Sequence, residues 1–119
     1  MNYSKALNEC IESAYMVAGH FGARYLESWH LLIAMSNHSY SVAGATLNDY
    51  PYEMDRLEEV ALELTETDYN QDEIFTELPF SHRLQVLFDE AEYVASVVHA
   101  KMLGTEHVLY AILHDGNAL

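Results

Sequence analysis

The chain has 119 residues, half of them hydrophobic, and a formal net charge of −14 from 19 acidic and 5 basic residues. This length fits one domain with a hydrophobic core. The acidic balance argues against nucleic acid and anionic membrane surfaces as partners, because both bind basic faces. It favours cationic partners, with an ordinary solvated acidic surface as the alternative. The sequence shows no signal peptide and no apolar run long enough to span a bilayer, which predicts a cytoplasmic protein.

The first predicted helix begins after Ser4, whose hydroxyl group can cap it. Apolar residues then recur at helical spacing on one face, and glycines at 19 and 22 mark the end of the helix. That face consists of Leu7, Cys10, Ile11, Ala14, Val17, Ala18 and Phe21. Because Cys10 is the only cysteine and lies on this face, we expect a buried and unreactive thiol without a disulfide partner. A second helix, from Trp29 to about Met35, is apolar nearly all round and is predicted to be central and buried.

The middle of the chain changes from apolar to acidic. A polar loop at 36–41 precedes a short predicted helix, Val42 to Leu47. After a turn, residues 52–64 form a predicted amphipathic helix with an acidic face, and Pro51 suits its first turn. Residues 65–78 are polar and acidic without a period. We interpret them as a linker, attached to the core through Ile74 and Phe75.

The chain repeats itself at a constant offset without a gap, from Tyr3 paired with Phe80 to Val42 paired with Leu119. The identical pairs are Ser4/Ser81, Leu7/Leu84, Ala14/Ala91, Val17/Val94, Ala18/Ala95, Ala23/Ala100, Leu26/Leu103, His30/His107, Leu32/Leu109 and Ala34/Ala111. This duplication predicts an all-α fold of two tandem helical repeats related by a pseudo-twofold axis. Repeat one covers 3–64, the linker 65–78 and repeat two 80–119. Nothing in repeat two matches 43–64, so repeat two is predicted to be truncated and the chain to belong to a longer parent protein.

Seven histidines raise the possibility of a metal site. We expect His30 and His107 to be buried, each with a ring nitrogen bonded to the backbone. Glu27 and His30 have the Glu-x-x-His spacing of dinuclear carboxylate bundles, which need a second copy, and repeat two has Gly104 instead of the second Glu. We therefore predict no metal site, and a small metal-binding helical enzyme stays as an alternative. The chain has no phosphate-binding Gly-Lys-Ser/Thr motif and no nucleophile motif, so ATP binding and catalysis are not expected in it.

The most distinctive segment is Leu103-Gly104-Thr105-Glu106-His107-Val108-Leu109. Thr105 is predicted to cap a helix from Glu106 to about Leu113, and a carboxylate in the first turn suits the positive helix end. Together with the duplication, this segment resembles the double Clp repeat, the N-terminal domain of Clp-type AAA+ unfoldases. The similarity is greatest to the ClpC/ClpA class, and to ClpC within it.

The resemblance implies a non-catalytic all-α domain of two four-helix repeats. Such a domain docks adaptor proteins (MecA-like) and protein substrates on an ATP-driven ring that serves the Clp protease. It implies no cofactor in this domain, because ATP binds elsewhere in the parent chain. A stand-alone Clp-repeat protein that modulates the protease is the alternative within the same class.

ClpC-like domains also bind phosphorylated arginine, through the hydroxyl residue that opens each repeat and the Glu of Thr-Glu-His. By this resemblance, Ser81 and Glu106 form the second pocket, with Thr105 at the same helix start. In the first pocket Ser4 is present, but Trp29 stands where the family has Glu. A carboxylate can accept a guanidinium fork, and a phosphoryl group suits helix N-terminal amides and hydroxyls. An ordinary acid in the first turn of a helix is the alternative role of Glu106.

Overall fold

A computed structural model describes residues 1–38, 40–50, 53–57, 59 and 78–114, and the structural statements below refer to these residues. They form five helices: α1 (Lys5–His20), α2 (Ser28–Ser36), α3 (Val42–Leu47), α4 (His82–Val97) and α5 (Thr105–His114). Residues 53–57 and 59 are also helical, and the described part of the chain contains no strand. The predicted all-α fold is confirmed.

The helix bounds agree closely with the sequence prediction. Helix α3 has the predicted limits, and α2 extends one residue beyond the prediction at each end. Helix α5 begins at Thr105 rather than Glu106. The rest of the helix predicted over 52–64 lies outside the described residues, as do most of the predicted linker, with Ile74 and Phe75, and residues 115–119. The limits of the two repeats therefore stay predictions.

Two sets of backbone hydrogen bonds join the repeats. In the first, the Ser4 N–H donates to the Leu103 carbonyl at 2.8 Å, and the Leu103 N–H donates to the Asn2 carbonyl at 2.8 Å. We name this contact the Ser4 junction. It joins the residues before α1 to the residues before α5, so it contains one segment from each repeat.

The second set reproduces the first with the repeats exchanged. The Ser81 N–H donates to the Leu26 carbonyl at 3.0 Å, and the Leu26 N–H donates to the Pro79 carbonyl at 2.9 Å. We name this contact the Ser81 junction. Each of its residues is related by the repeat offset to its counterpart in the Ser4 junction. This reciprocal exchange is what a twofold rotation produces, so the predicted pseudo-twofold relation is confirmed.

The long helix of each repeat begins in the same way. The Ser4 Oγ accepts a hydrogen bond from the Leu7 N–H at 3.1 Å, and the Ser81 Oγ accepts one from the Leu84 N–H at 3.1 Å. These bonds satisfy N–H groups that have no partner within the helix. The predicted Ser4 cap is therefore confirmed, Ser81 forms the equivalent cap at the repeat offset, and both serine hydroxyls serve the fold.

The long helices also end alike. Helix α1 is followed by Gly22 at φ 66°, and α4 by His99 at φ 59°. Both values lie in the left-handed region that follows many helices and that favours glycine. Only repeat one has glycine at this point.

The core lies between the helix pairs α1/α2 and α4/α5, with α3 packed on α2 and α5. The largest apolar side chains without any exposure are Leu7, Leu26, Leu31, Met35, Leu84 and Leu103. Burying one such side chain contributes about 1.5–3 kcal/mol. Cys10 is also fully buried, as predicted, and burial raises the pKa of its thiol to about 11. Among the described residues, no helix is both long and apolar enough to cross a bilayer.

Candidate binding site at the Ser4 junction

The structure pairs the predicted site residues differently from the sequence analysis. Glu106 lies in the first turn of α5, three residues after Leu103, and Leu103 is bonded to Ser4. Ser81 is bonded instead to Leu26, which precedes Trp29. The sequence analysis grouped Ser81 with Glu106, whereas the backbone bonds join Ser81 to the segment before α2, because the repeats cross over at both junctions. Ser4 is the helix-capping hydroxyl residue that shares a junction with Glu106.

Thr105 also has a different position from the one predicted. It is the first residue of α5 rather than its cap, and it is only 2% exposed. Its Oγ1 accepts a hydrogen bond from the Ala43 N–H at 3.3 Å. The Thr105 hydroxyl thus attaches the start of α3 to α5, and it does not face solvent where a ligand would bind.

Glu106 offers an accessible carboxylate. Its side chain is 45% exposed, and its carboxyl group lies against the α-carbon of Gly104. The His107 Nδ1 lies 3.5 Å from the Glu106 Oε1 but already accepts a hydrogen bond from the Gly104 N–H at 2.9 Å. Because the Nδ1 accepts that bond, it has no hydrogen to donate to the Glu106 Oε1, and the 3.5 Å contact is not a hydrogen bond. The carboxylate can therefore accept hydrogen bonds from a ligand.

Positive charge is concentrated at the two junctions. Four of the five basic residues lie within three positions of a residue that forms the junction bonds. Lys5 and Lys101 flank the Ser4 junction, Arg24 and Arg83 flank the Ser81 junction, and all four are exposed. In a chain of net charge −14, these are the places where an anionic group meets nearby cations. The sequence analysis did not predict this clustering, although Arg24 and Lys101 occupy equivalent positions of the two repeats.

The Ser81 junction has aromatic rather than acidic chemistry at the matching position. Trp29 is half-buried, and its ring packs edge-to-face on Phe21 with centroids 5.1 Å apart. The Trp29 and His30 ring centroids are 3.8 Å apart. Glu27, which precedes the helix, occupies the position of Gly104. The carboxylate of the Ser4 junction thus has no counterpart at position 29.

His30 and His107 are buried and bonded to the backbone, as predicted. The His30 Nδ1 accepts a hydrogen bond from the Glu27 N–H at 2.8 Å, matching the bond between His107 and Gly104. The His30 Nε2 has no partner among the described residues. Burial lowers the pKa of His30 to about 4, so the ring is neutral at pH 7. Among the residues that the structure describes, no three potential metal ligands form a group.

A polar cluster, which the sequence analysis did not predict, attaches the loop after α2 to α1. Ser13 and His38 Nε2 are 2.8 Å apart, His38 Nδ1 is 2.7 Å from the Tyr40 hydroxyl, and that hydroxyl donates to Glu9. The bond to Glu9 raises the pKa of Tyr40 to about 12. Although serine, histidine and an acid occur together, Ser13 lies in mid-helix, where backbone N–H groups are already bonded and cannot stabilise an oxyanion. The cluster has a structural role.

An apolar cavity of about 400 Å³ lies elsewhere in the molecule. Its lining includes Leu32, Leu47, Met54, Leu57 and Leu113. None of the predicted site residues contributes to it. The Ser4 junction, with its exposed carboxylate and two lysines, is therefore the better candidate for specific recognition.

The fold and its paired junctions define a duplicated all-α domain. The chain belongs to the Clp repeat (R) N-terminal domain family, which matches residues 2–119. This membership confirms the family predicted from the duplication and from the segment Leu103 to Leu109. Domains of this family are non-catalytic, in agreement with the predicted absence of an enzyme activity from this domain. A comparison with curated protein sequences found no match.

Solved structures show the same fold. Nineteen chains match. One of them, from preliminary structural investigations of a malarial protein secretion system, matches with a TM-score of 0.82 at 13% sequence identity. The match covers 98% of this chain and 79% of that chain. At this identity the likeness concerns the fold alone, and the assignment to the ClpC class stays a prediction.

Proposed function

We propose that this chain is the adaptor- and substrate-docking N-terminal domain of a ClpC-like unfoldase and that it binds phosphoarginine-marked proteins at the Ser4 junction. Membership of the Clp repeat family supports the docking role. The observation that supports the ligand class is the exposed Glu106 carboxylate at the start of α5, next to a junction whose two segments each carry a lysine. Ser4 replaces Ser81 as the predicted hydroxyl partner of Glu106.

Phosphoarginine has two charged ends that fit this arrangement. Its guanidinium N–H groups can donate to the Glu106 carboxylate in a bidentate pair. Its phosphoryl oxygens can accept from Lys5 and Lys101, and from the first N–H groups of α5, which have no partner within the helix. Unmodified arginine lacks the anionic end, so we expect it to bind more weakly than phosphoarginine.

The surface charge and the family both support the proposed docking of adaptors. A domain of net charge −14 attracts cationic surfaces at long range, which supports basic, MecA-like adaptors as partners. The ATP-binding ring and the Clp protease contacts belong to the parent chain in this proposal, so the domain needs no cofactor of its own. A cytoplasmic location is part of the same proposal.

Calorimetric titration of this chain with free phosphoarginine tests the ligand. We expect one site per chain and an affinity at least about tenfold lower in Glu106→Ala, because a charge-assisted hydrogen bond contributes about 1.5–3 kcal/mol. Glu12→Ala, which removes an exposed carboxylate from α1, is the matched control and should bind like the wild type. Free arginine should give a weaker signal.

The outcome separates the two parts of the proposal. Folded wild-type protein that produces no heat with phosphoarginine would remove this ligand and leave adaptor docking as the function. Equal loss of affinity in Glu106→Ala and Glu12→Ala would indicate a general charge effect rather than a site at the Ser4 junction.

A further inference from the structure

The junctions differ at three consecutive positions around the helix start, where Gly104, Thr105 and Glu106 correspond to Glu27, Ser28 and Trp29. Ser28 and Thr105 are both buried hydroxyl residues. The other two positions change in chemical character. The residues next to them on the chain are equivalent, since Leu26 and Leu103 are both fully buried. The difference is therefore confined to side chains on an otherwise common backbone arrangement.

The geometry explains why the two positions are coupled. A Cβ atom added at Gly104 would lie 2.8 Å from the carboxyl carbon of Glu106 and closer still to its Oε1. The backbone conformation does not require glycine at residue 104, because the only glycine with a positive φ among the described residues is Gly22. Gly104 therefore leaves space for a carboxylate. That carboxylate ends a flexible side chain, which can move without disturbing the backbone.

We propose that Gly104 is a positioning residue, which holds the Glu106 carboxylate over the start of α5 and so makes the Ser4 junction selective for a guanidinium-bearing ligand. The selectivity rests on the function proposed above. At the Ser81 junction Glu27 has a Cβ atom where Gly104 has none, and Trp29 supplies no acceptor. That junction therefore excludes phosphoarginine for two coupled reasons, and both residues must change before it can bind.

Gly104→Ala is the direct test. The added methyl group should move the carboxylate and reduce phosphoarginine affinity about tenfold, with the helix content and melting temperature retained. Glu27→Ala, at the matching position of the other junction, is the control and should leave affinity unchanged. In a Glu106→Ala background, Gly104→Ala should have no further effect, because its action passes through the missing carboxylate.

A second measurement needs no ligand. In the wild-type protein, nuclear Overhauser contacts between the Gly104 α-protons and the Glu106 γ-protons should be strong. In Gly104→Ala, a crystal structure should show the carboxylate displaced from residue 104. A wild-type carboxylate directed away from Gly104 would overturn the inference, whether or not phosphoarginine binds.

The Ser81 junction offers a gain-of-binding test. Glu27→Gly combined with Trp29→Glu should add a second phosphoarginine equivalent, whereas Trp29→Glu alone should not. Both variants are first checked for native helix content. A single Trp29→Glu that binds as well as the double variant would refute the coupling.

Failure of the inference is distinguishable from failure of the proposed function. Wild-type binding that Gly104→Ala leaves unchanged would refute only the positioning role. A wild type that binds no phosphoarginine would refute the proposed ligand and the selectivity, and the Overhauser contacts would then decide the positioning claim alone.

Discussion

The two junctions have the same backbone and different chemistry. The hydrogen bonds that form them are all between 2.8 and 3.0 Å long, and each junction adjoins a serine-capped helix. Yet Glu106 presents a carboxylate to solvent at one junction, while Trp29 packs on Phe21 at the other. The comparison shows that one duplicated backbone arrangement can carry two surfaces of different side-chain chemistry.

Burial explains which features the two repeats share. Leu26 and Leu103 have no exposed surface, and any loss of volume there leaves a cavity. His30 and His107 are shared because each accepts an N–H from the residue that precedes its helix. Positions 27, 29 and 106 are more exposed than these residues, and Gly104 is buried but has no side chain. We therefore expect side-chain changes at these positions to affect the proposed recognition more than the stability.

The largest expected effect tests whether the junctions are energetically as well as geometrically equivalent. Leu26→Ala and Leu103→Ala each remove a fully buried side chain, and each should lower the free energy of unfolding by about 2–5 kcal/mol. Urea denaturation of both variants measures the loss. Losses that differ by more than about 2 kcal/mol would show that the pseudo-twofold axis relates the backbone but not the packing energy.

A second prediction concerns His30 and acid. Its pKa is about 4 in the folded protein and near 6.5 when unfolded, so the unfolded state binds more protons between these values. Stability should therefore fall as pH decreases from about 6.5 to 4, by about 3 kcal/mol from this group. Protonation at Nδ1 would also remove the acceptor of the Glu27 N–H.

His30→Asn supplies a control that does not titrate, since its side-chain oxygen can accept the same N–H. The free energy of unfolding, measured against pH by urea denaturation, should depend less on pH in this variant than in the wild type between pH 6.5 and 4. Parallel curves for the two proteins would show that His30 is not buried as a neutral ring.

The smallest expected effect exchanges the residues that end the long helices. Gly22→Ala places a side chain at φ 66° and should destabilise the protein by about 1 kcal/mol. His99→Gly removes a side chain at φ 59° and should change stability by less than about 1 kcal/mol, because relief of strain offsets the greater freedom of the unfolded chain. Thermal unfolding of both variants checks the contrast. Equal destabilisation in both would contradict it.

Much of the fold could be predicted from the sequence because its signals are local. Helical spacing, serine caps and the constant repeat offset depend on neighbouring or directly repeated positions. They predicted the helices, the buried histidines and the two repeats. The role of Thr105 could not be predicted this way. Its hydroxyl bonds to Ala43, which is distant in the chain, and no local pattern indicates that contact.

Prediction of the site was limited in the same way, because it too depends on contacts between distant parts of the chain. Glu106 was identified as a site residue by resemblance, but the sequence paired it with the serine of its own repeat. The partner proposed here, Ser4, follows from the crossing of the repeats, which only the tertiary structure provides. The cations at the junctions were missed for the same reason, since Lys5 and Lys101 are distant in the chain.

The crossed junctions also constrain the order of folding. The Ser81 junction joins Leu26 to Ser81, whereas the Ser4 junction joins Ser4 to Leu103 and so closes a much longer segment of chain. The entropy of loop closure grows with length, and contacts at long sequence separation slow folding. The surroundings of Glu106 should thus be completed late, after the ribosome has released most of the domain. A chain that is still emerging would be unable to capture a ligand at this site.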